Sequence, residues 1–287
     1  MPAQQGAGPD SGPRGAVEQP LGERLAGDPR AGRLEAVQVR AMFDRIAGVY
    51  DLMNTAMTAG LHHRWRARAA DLARVGPGDR VLDVATGTGD LALELSRRVA
   101  PGGEVIGSDF AEAMLARARR KAAIGDRQSV RPQFEWGDAL ELSYSDASFA
   151  AATVGFGARN FSDLARGLSE MRRVVRPGGR VVVLEITTPT RLPLSLFYRV
   201  WFDRIVPALG LIAGALSLLS SRVRRGSGET TIADAYTYLP NSVKRFPAPE
   251  ALASEMESAG LREIRYVLLA GGIVAIHSGT VPRGDTG

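Results

Sequence analysis

Apolar residues recur along this chain with two different spacings, and the change between them divides it. In residues 33–50 the positions Val39, Met42, Phe43, Ile46 and Tyr50 step by three and four, the spacing of one helical face. A second helix is predicted over 61–75, stopped by Gly76-Pro77-Gly78. The period then shortens. Arg80-Val-Leu-Asp-Val-Ala85 is a brief apolar run ahead of a glycine turn and reads as a buried parallel strand. From there the two patterns alternate: helix 90–99, strand 104–108, helix 111–123, strands 133–136 and 149–154, a helix from Ser162 closed by Pro177-Gly178-Gly179, and strand 180–186. Such alternation implies a parallel sheet with helices on both faces. After an apolar insertion the pattern predicts a helix over 249–259 and strands over 261–269 and 273–278. Only Ala270-Gly271-Gly272 joins those strands, so they form a hairpin and the last runs antiparallel to its neighbour.

Composition adds limits rather than identity. With 287 residues, 45% of them hydrophobic, the chain suits one large domain with a tail and an insertion. Residues 1–32 carry no aromatic residue and no apolar core of a secretory signal; they are expected to be a disordered tail, and 281–287 a short C-terminal tail. The absence of cysteine excludes a disulfide framework, a thiolate zinc site and a cysteine nucleophile, and fits a reducing cytoplasm. A net charge of +5 suits nucleic acid, an anionic membrane or an acidic small molecule, but the arginines are scattered rather than blocked. Residues 205–221 contain no charge, yet Pro207, Gly210 and Gly214 make them a poor membrane span. A lid or an interfacial segment, within an insertion at about 190–240, is the expectation.

The sharpest local signal is Val81-Leu-Asp-Val-Ala-Thr-Gly-Thr-Gly-Asp90. Glycines after a first strand let a ligand approach the backbone, and the next helix offers free N–H groups. Gly87, Thr88 and Gly89 with Ala92 also fit a dinucleotide turn, and Asp109 lies where a ribose-binding acid belongs in either cofactor class. Asp83 separates the two. A carboxylate aimed at that turn would repel a pyrophosphate, whereas S-adenosylmethionine brings an ammonium and a sulfonium. Asp109 would then accept from ribose hydroxyls, or alternatively cap the helix that follows it. Asp138 and Ala139, after the third strand, would meet the adenine.

Further segments carry a resemblance. Tyr50-Asp-Leu-Met-Asn54, Gly60-Leu-His-His-Arg-Trp65, Gly155-Phe-Gly-Ala-Arg-Asn160, Arg176-Pro-Gly-Gly-Arg-Val-Val-Val-Leu-Glu185, Ala235-Tyr-Thr-Tyr-Leu-Pro-Asn-Ser-Val243 and Gly271-Gly-Ile-Val-Ala-Ile-His277 resemble the menaquinone/ubiquinone biosynthesis C-methyltransferases over about residues 36–280. The resemblance implies a Rossmann-like class I methyltransferase: a seven-stranded, mostly parallel α/β sheet with an antiparallel C-terminal hairpin strand, spanning 33–280. It implies S-adenosylmethionine-dependent methylation of a ring carbon on a polyprenylated hydroquinone, the menaquinone precursor first. Its cofactor contacts would fall on Thr88, Asp109, Asp138 and Ala139. A fourth, usually serine, is Gly155 here, which removes a hydroxyl. The stretch 218–232 is longer than the family pattern.

On the substrate side the chemistry needs alignment, desolvation and removal of a phenolic proton. Arg159 and Asn160, just past the fourth strand, are the candidates to stabilise the developing phenolate and fix the quinol oxygen; the alternative is that they cap the helix from Ser162. His62 is a candidate proton acceptor, or else a surface histidine beside His63. Tyr50 and Asn54 would meet the substrate from the N-terminal helices. Tyr236 and Tyr238 would do so from the lid, though two positions apart they cannot share a helical face. No His or Cys spacing suggests a metal. The expected partner is a lipophilic quinol, with peripheral contact to the inner face of the cell membrane through residues 191–226, no nucleic acid, and self-association left open. Other readings are a benzoquinol, tocopherol-type quinol or sterol methyltransferase, a nicotinamide oxidoreductase, and a nucleic-acid-binding module. Asp83 and the terminal hairpin weigh against the second of these, and the lack of aromatics among the basic residues against the third.

Overall fold

The computed structural model describes residues 36–48, 50–124, 129–189, 192–205, 208 and 232–283. The tail expected at 1–32, residues 284–287 of the one expected at 281–287, and residues 209–221 of the uncharged stretch 205–221 lie outside them, whereas Val281 is buried and its backbone bonds to Gly178 and Gly179. The described residues form a seven-stranded sheet in the order β3-β2-β1-β4-β5-β7-β6. β1 (Arg80–Val84), β2 (Glu104–Asp109), β3 (Gln133–Trp136), β4 (Phe149–Gly155) and β5 (Val175–Ile186) are parallel to one another, while β7 (Val274–Thr280) is antiparallel to both β5 and β6 (Arg262–Leu269). This is the Rossmann-like class I methyltransferase topology that the alternation and the hairpin predict.

Strand residues alternate between two cores. Val81, Val105, Ala151, Val182 and Ile276 pack on one face with α3 (Leu61–Leu72) and α4 (Asp90–Arg98). Leu82, Ile106, Ala152, Val181 and Val183 pack on the other against α6 (Leu164–Val174) and α9 (Pro249–Ser258). Burial on both sides explains why the strands read as unbroken apolar runs. A third cluster ties α1 (Ala36–Ile46) to α5 (Glu112–Ile124) and to Tyr238 of α8 (Ile232–Arg245).

Three boundaries differ from expectation. The predicted N-terminal helix breaks at Ala47-Gly48, and Tyr50 opens a separate α2 (Tyr50–Thr58). The helix after β4 starts at Leu164, capped by Asp163, whose side chain accepts from the Arg166 N–H at 2.9 Å; Ser162, Arg159 and Asn160 do not cap it. Pro177-Gly178-Gly179 is not a stop beyond that helix but an irregular first part of β5, bulged where its register on β4 shifts. There Gly178 takes φ +82° and its N–H donates to the Val281 carbonyl at 2.8 Å. After β5 come a short helix, α7 (Leu194–Val200), and a π turn, Trp201–Ile205. Among the described residues no helix is long and apolar enough to cross a membrane.

Candidate active site

Two adjoining cavities open at the carboxyl edge of the parallel strands, where ligands bind in open α/β sheets. Phe43, Tyr50, Arg66, Phe156 and Asn160 line both.

The first cavity follows the β1 turn. Gly87 stands at its wall with φ +57° and open space where a Cβ would be, so the backbone is bare toward a ligand. Gly89 serves a different purpose. It does not line the cavity, and a Cβ there would fall 2.7 Å from the Phe134 ring, so its glycine is required by packing at φ +82°. Ala85 and Phe156, both on the wall, also hold positive φ. Backbone strain of that kind collects at ligand sites.

Four carboxylates line this cavity: Asp83, Asp90, Asp109 and Asp138. Asp83 is buried and accepts from the hydroxyls of Thr86 at 2.6 Å and Thr153 at 2.7 Å. Burial nevertheless pushes its pKa up to about 6. Asp109, likewise raised to about 6 by burial, accepts from the N–H of Gly87 at 2.8 Å and of Ala111 at 2.9 Å. It therefore supports the glycine turn and the start of α5 while lining the cavity, so the two readings of this residue are not exclusive. Asp138 accepts from the Leu140 N–H, with Ala139 beside it on the wall. For Asp90, burial opposes its charge, but Arg66 and Lys121 outweigh it and hold the pKa below the usual range.

Thr88 lines the cavity, yet its hydroxyl is engaged outward. It donates to Asp51 Oδ1 at 2.6 Å and accepts from Lys121 Nζ at 2.9 Å. Lys121 also reaches Asp51 Oδ2 at 2.8 Å and Asp90 Oδ1 at 2.6 Å, fastening α2 over the glycine turn. Gly155 lines the cavity as well. A Cβ there would lie 3.1 Å from Leu91 Cδ2, so the missing serine hydroxyl would need Leu91 to shift.

The second cavity is the larger and is mostly apolar, walled by α1, α2, α3, Trp201, Leu239 and the β6–β7 turn. Arg159, Asn160, His62, Tyr50, Asn54 and Tyr238 all reach it. Tyr236 lies in α8, but its side chain is outside the described residues. Arg159 sits on the single 3₁₀ turn Ala158–Asn160 after β4. Its Nη1 donates to Glu185 Oε1 at 2.5 Å and to the Phe156 carbonyl at 2.6 Å. Burial works against the guanidinium charge, but Glu185 more than offsets it, and the pKa is raised. Its Nε is buried without a partner among the described residues. Asn160 Oδ1 accepts from the Tyr238 hydroxyl at 3.2 Å, and burial raises the pKa of Tyr238, keeping it a donor.

His62 is buried rather than on the surface. Burial, then Arg66 and His63, lower its pKa to about 4, so it is neutral at pH 7. Arg66 Nη1 donates to Nδ1, and Nε2 stands 3.2 Å from Thr55 Oγ1, whose own proton goes to the Asp51 carbonyl. The ring is thus the Nε2–H tautomer with its one lone pair taken by a guanidinium. As arranged it is a donor, not a base. Sequence reasoning passed over Arg66, Glu185 and Lys121; only their charge in otherwise apolar or short-range patterns marked them.

Comparison with known proteins agrees with this geometry. Residues 32–281 match the model of the ubiE/COQ5 methyltransferase family. Over 242 residues the chain is 48% identical to a demethylmenaquinone methyltransferase of Thermus thermophilus, covering 84% of this chain and 100% of that protein. It is 46% identical to one of Deinococcus radiodurans, covering 84% and 91%. A ubiquinone/menaquinone biosynthesis C-methyltransferase of a Geobacter species is 37% identical, covering 85% and 96%. Among solved structures, a SAM-dependent methyltransferase of Thermotoga maritima, described as a possible histamine N-methyltransferase, shares the fold at TM-score 0.53 and 19% identity, covering 84% and 98%. The match over residues 32–281, with relatives at 46% and 48% identity covering 84% of the chain, shows that the chain belongs to the ubiE/COQ5 methyltransferase family.

Proposed function

We propose that this protein methylates a ring carbon of demethylmenaquinol, taking the methyl group from S-adenosylmethionine. The observation that carries the reading is the pairing of cavities: among the described residues four carboxylates and a single cation line the first, mostly apolar side chains the second, with a shared wall. The acids suit a ligand with an ammonium and a sulfonium; they would oppose the pyrophosphate of a dinucleotide. Asp83 is the candidate for the cationic end, Asp109 for the ribose hydroxyls, and Asp138 and Ala139 for the adenine. When bound, the cofactor supplies an electrophilic methyl group.

The protein's own part is to hold the quinol and favour its ionised form. Arg159, fixed by Glu185, brings a permanent positive charge to the wall of the apolar cavity, where a developing phenolate would be stabilised. Because Asn160 Oδ1 is taken by Tyr238, its amide N–H groups are left to donate to the quinol oxygen. Apolar walls exclude water, which strengthens both interactions. Neither group removes the proton itself: Arg159 stays charged, and Asn160 does not titrate.

Such a substrate is dissolved in lipid, and the reading includes peripheral contact with an anionic bilayer through residues 191–226. In its support, Leu192, Leu196 and Val200 are exposed, followed by an exposed Arg204. Flotation with anionic liposomes tests this; protein left wholly in the soluble fraction would discard it. The central test is transfer of labelled methyl from S-adenosylmethionine to chemically reduced demethylmenaquinone, beside a matched demethylated benzoquinol. Label in the naphthoquinol supports the reading, and label in both extends it to a second quinone class. Label in neither, with cofactor binding intact, sinks the quinol assignment.

A further inference from the structure

Arg66 holds His62 and offsets the charge of Asp90, and neither contact uses all of its donors. It is the only cationic side chain, among the described residues, that lines the acid-rich cavity, and it lines the apolar cavity too. Its side chain is 7% exposed. The contacts to His62 Nδ1 and, at 3.5 Å, to Asp90 Oδ2 both run through Nη1. The Nη2–Nε edge takes no hydrogen-bond partner among the described residues. The guanidinium lies over the Phe156 ring, 5.5 Å from Cζ to the ring centroid.

The Nη2–Nε edge is not sealed in the interior: it is open to the cavity, where a ligand can meet its N–H groups. S-adenosylmethionine carries a carboxylate beside its ammonium, and a carboxylate entering among four acids needs a facing cation. Lys121 is the nearest alternative, but it is held by Asp51, Asp90 and Thr88 and does not line the cavity. We infer that Arg66 binds the methionine carboxylate of the cofactor through its open edge, two parallel N–H donors to two oxygens. Because the same side chain walls the quinol cavity, this contact positions the methyl donor against the substrate. The inference rests on the methyl-donor reading above.

The test compares S-adenosylmethionine with its decarboxylated form by calorimetry, on the whole chain without quinol. The wild type should prefer the carboxylated ligand by roughly 10- to 100-fold, as for hydrogen bonds to a charged group. Arg66→Met should lose that preference while binding the decarboxylated ligand about as the wild type does. Arg66→Lys, a point charge without the fork, should keep part of it. A wild-type preference below about threefold, a preference that survives Arg66→Met, or equal loss of both ligands would each overturn the assignment. If Arg66→Met does not fold, Arg66→Lys decides: a narrowed preference supports it, an unchanged one overturns it. Should the wild type bind neither ligand, the methyl-donor reading falls first and this inference with it.

Discussion

The two cavities are built in opposite ways. The wall of the acid-lined one comes mainly from four brief segments at the ends of β1, β2, β3 and β4, with glycines in the first, third and fourth. The apolar one is assembled by side chains from α1, α2, α3, α8 and the β6–β7 turn, which are far apart in sequence. A cavity made of backbone turns is preset once the sheet forms. One made of docked helices depends on how those helices pack. Losses in the first should therefore appear as cofactor affinity, and losses in the second as turnover.

Arg159 should give the largest effect. Arg159→Met is expected to lower turnover by roughly 10²–10³-fold, the usual cost of removing a preorganised donor. It should leave cofactor affinity nearly unchanged. Stability should also fall, by about 3–5 kcal/mol, because Glu185 is left charged and buried. Adding Glu185→Gln should return most of the melting temperature and none of the turnover. If turnover returned with stability, Arg159 would be scaffolding and the functional contrast between the cavities would be lost.

Asp83 probes the other side. Asp83→Asn removes the charge and keeps an acceptor for one of Thr86 and Thr153, while the other hydroxyl must turn to accept from the new amide N–H. Cofactor affinity should fall about 10- to 100-fold, with turnover at saturating cofactor much less affected. The protein without cofactor should be no less stable, since the substitution removes a carboxylate that burial disfavours.

The pKa values give a subtler effect. Asp83 and Asp109 are both raised to about 6, above the ordinary carboxylate value, by burial. Folding therefore favours their protonated forms. The resulting penalty is absent below about pH 4 and complete above about pH 6, so without cofactor stability from these groups declines as pH rises through that window. A cationic ligand prefers the ionised forms. The rise in melting temperature on adding S-adenosylmethionine should accordingly be greater at pH 7.5 than at pH 5. An equal rise at both would mean these carboxylates do not meet the ligand's charge.

The same contrast explains what was legible in the sequence. The sheet was readable because its central strands β1, β2, β4, β5 and β7 are largely buried on both faces and its turns are marked by glycine or proline. Asp83, Gly87 and Asp109 were readable because they lie within one strand–turn–helix unit. Gly89 belonged to the motif for a reason the motif does not reveal, its contact with Phe134 across the core. The break between α1 and α2 was missed because the apolar spacing continues through it to Tyr50. The Arg159–Glu185 pair spans 26 residues, and Arg66 earns its place only where two cavities meet, so neither has a local signature.

His62 is where local and tertiary signals diverge most, and it should give the smallest effect. A histidine in a family motif invites a base role, and pH near neutrality would then control the rate. The packing opposes this: burial, Arg66 and His63 bring the pKa to about 4, and the Nδ1 lone pair faces a guanidinium. His62→Gln, which can still accept from Arg66 and donate toward Thr55, should keep turnover within roughly fivefold, since only a neutral hydrogen bond changes. Neither enzyme should show an ionisation near pH 6.5 that disappears with the substitution. A limb of the pH–rate profile lost in His62→Gln would mean that the ring swings free of Arg66 during turnover. It would then be acting as the proton acceptor, and the wall between the cavities would be part of the chemistry rather than its support.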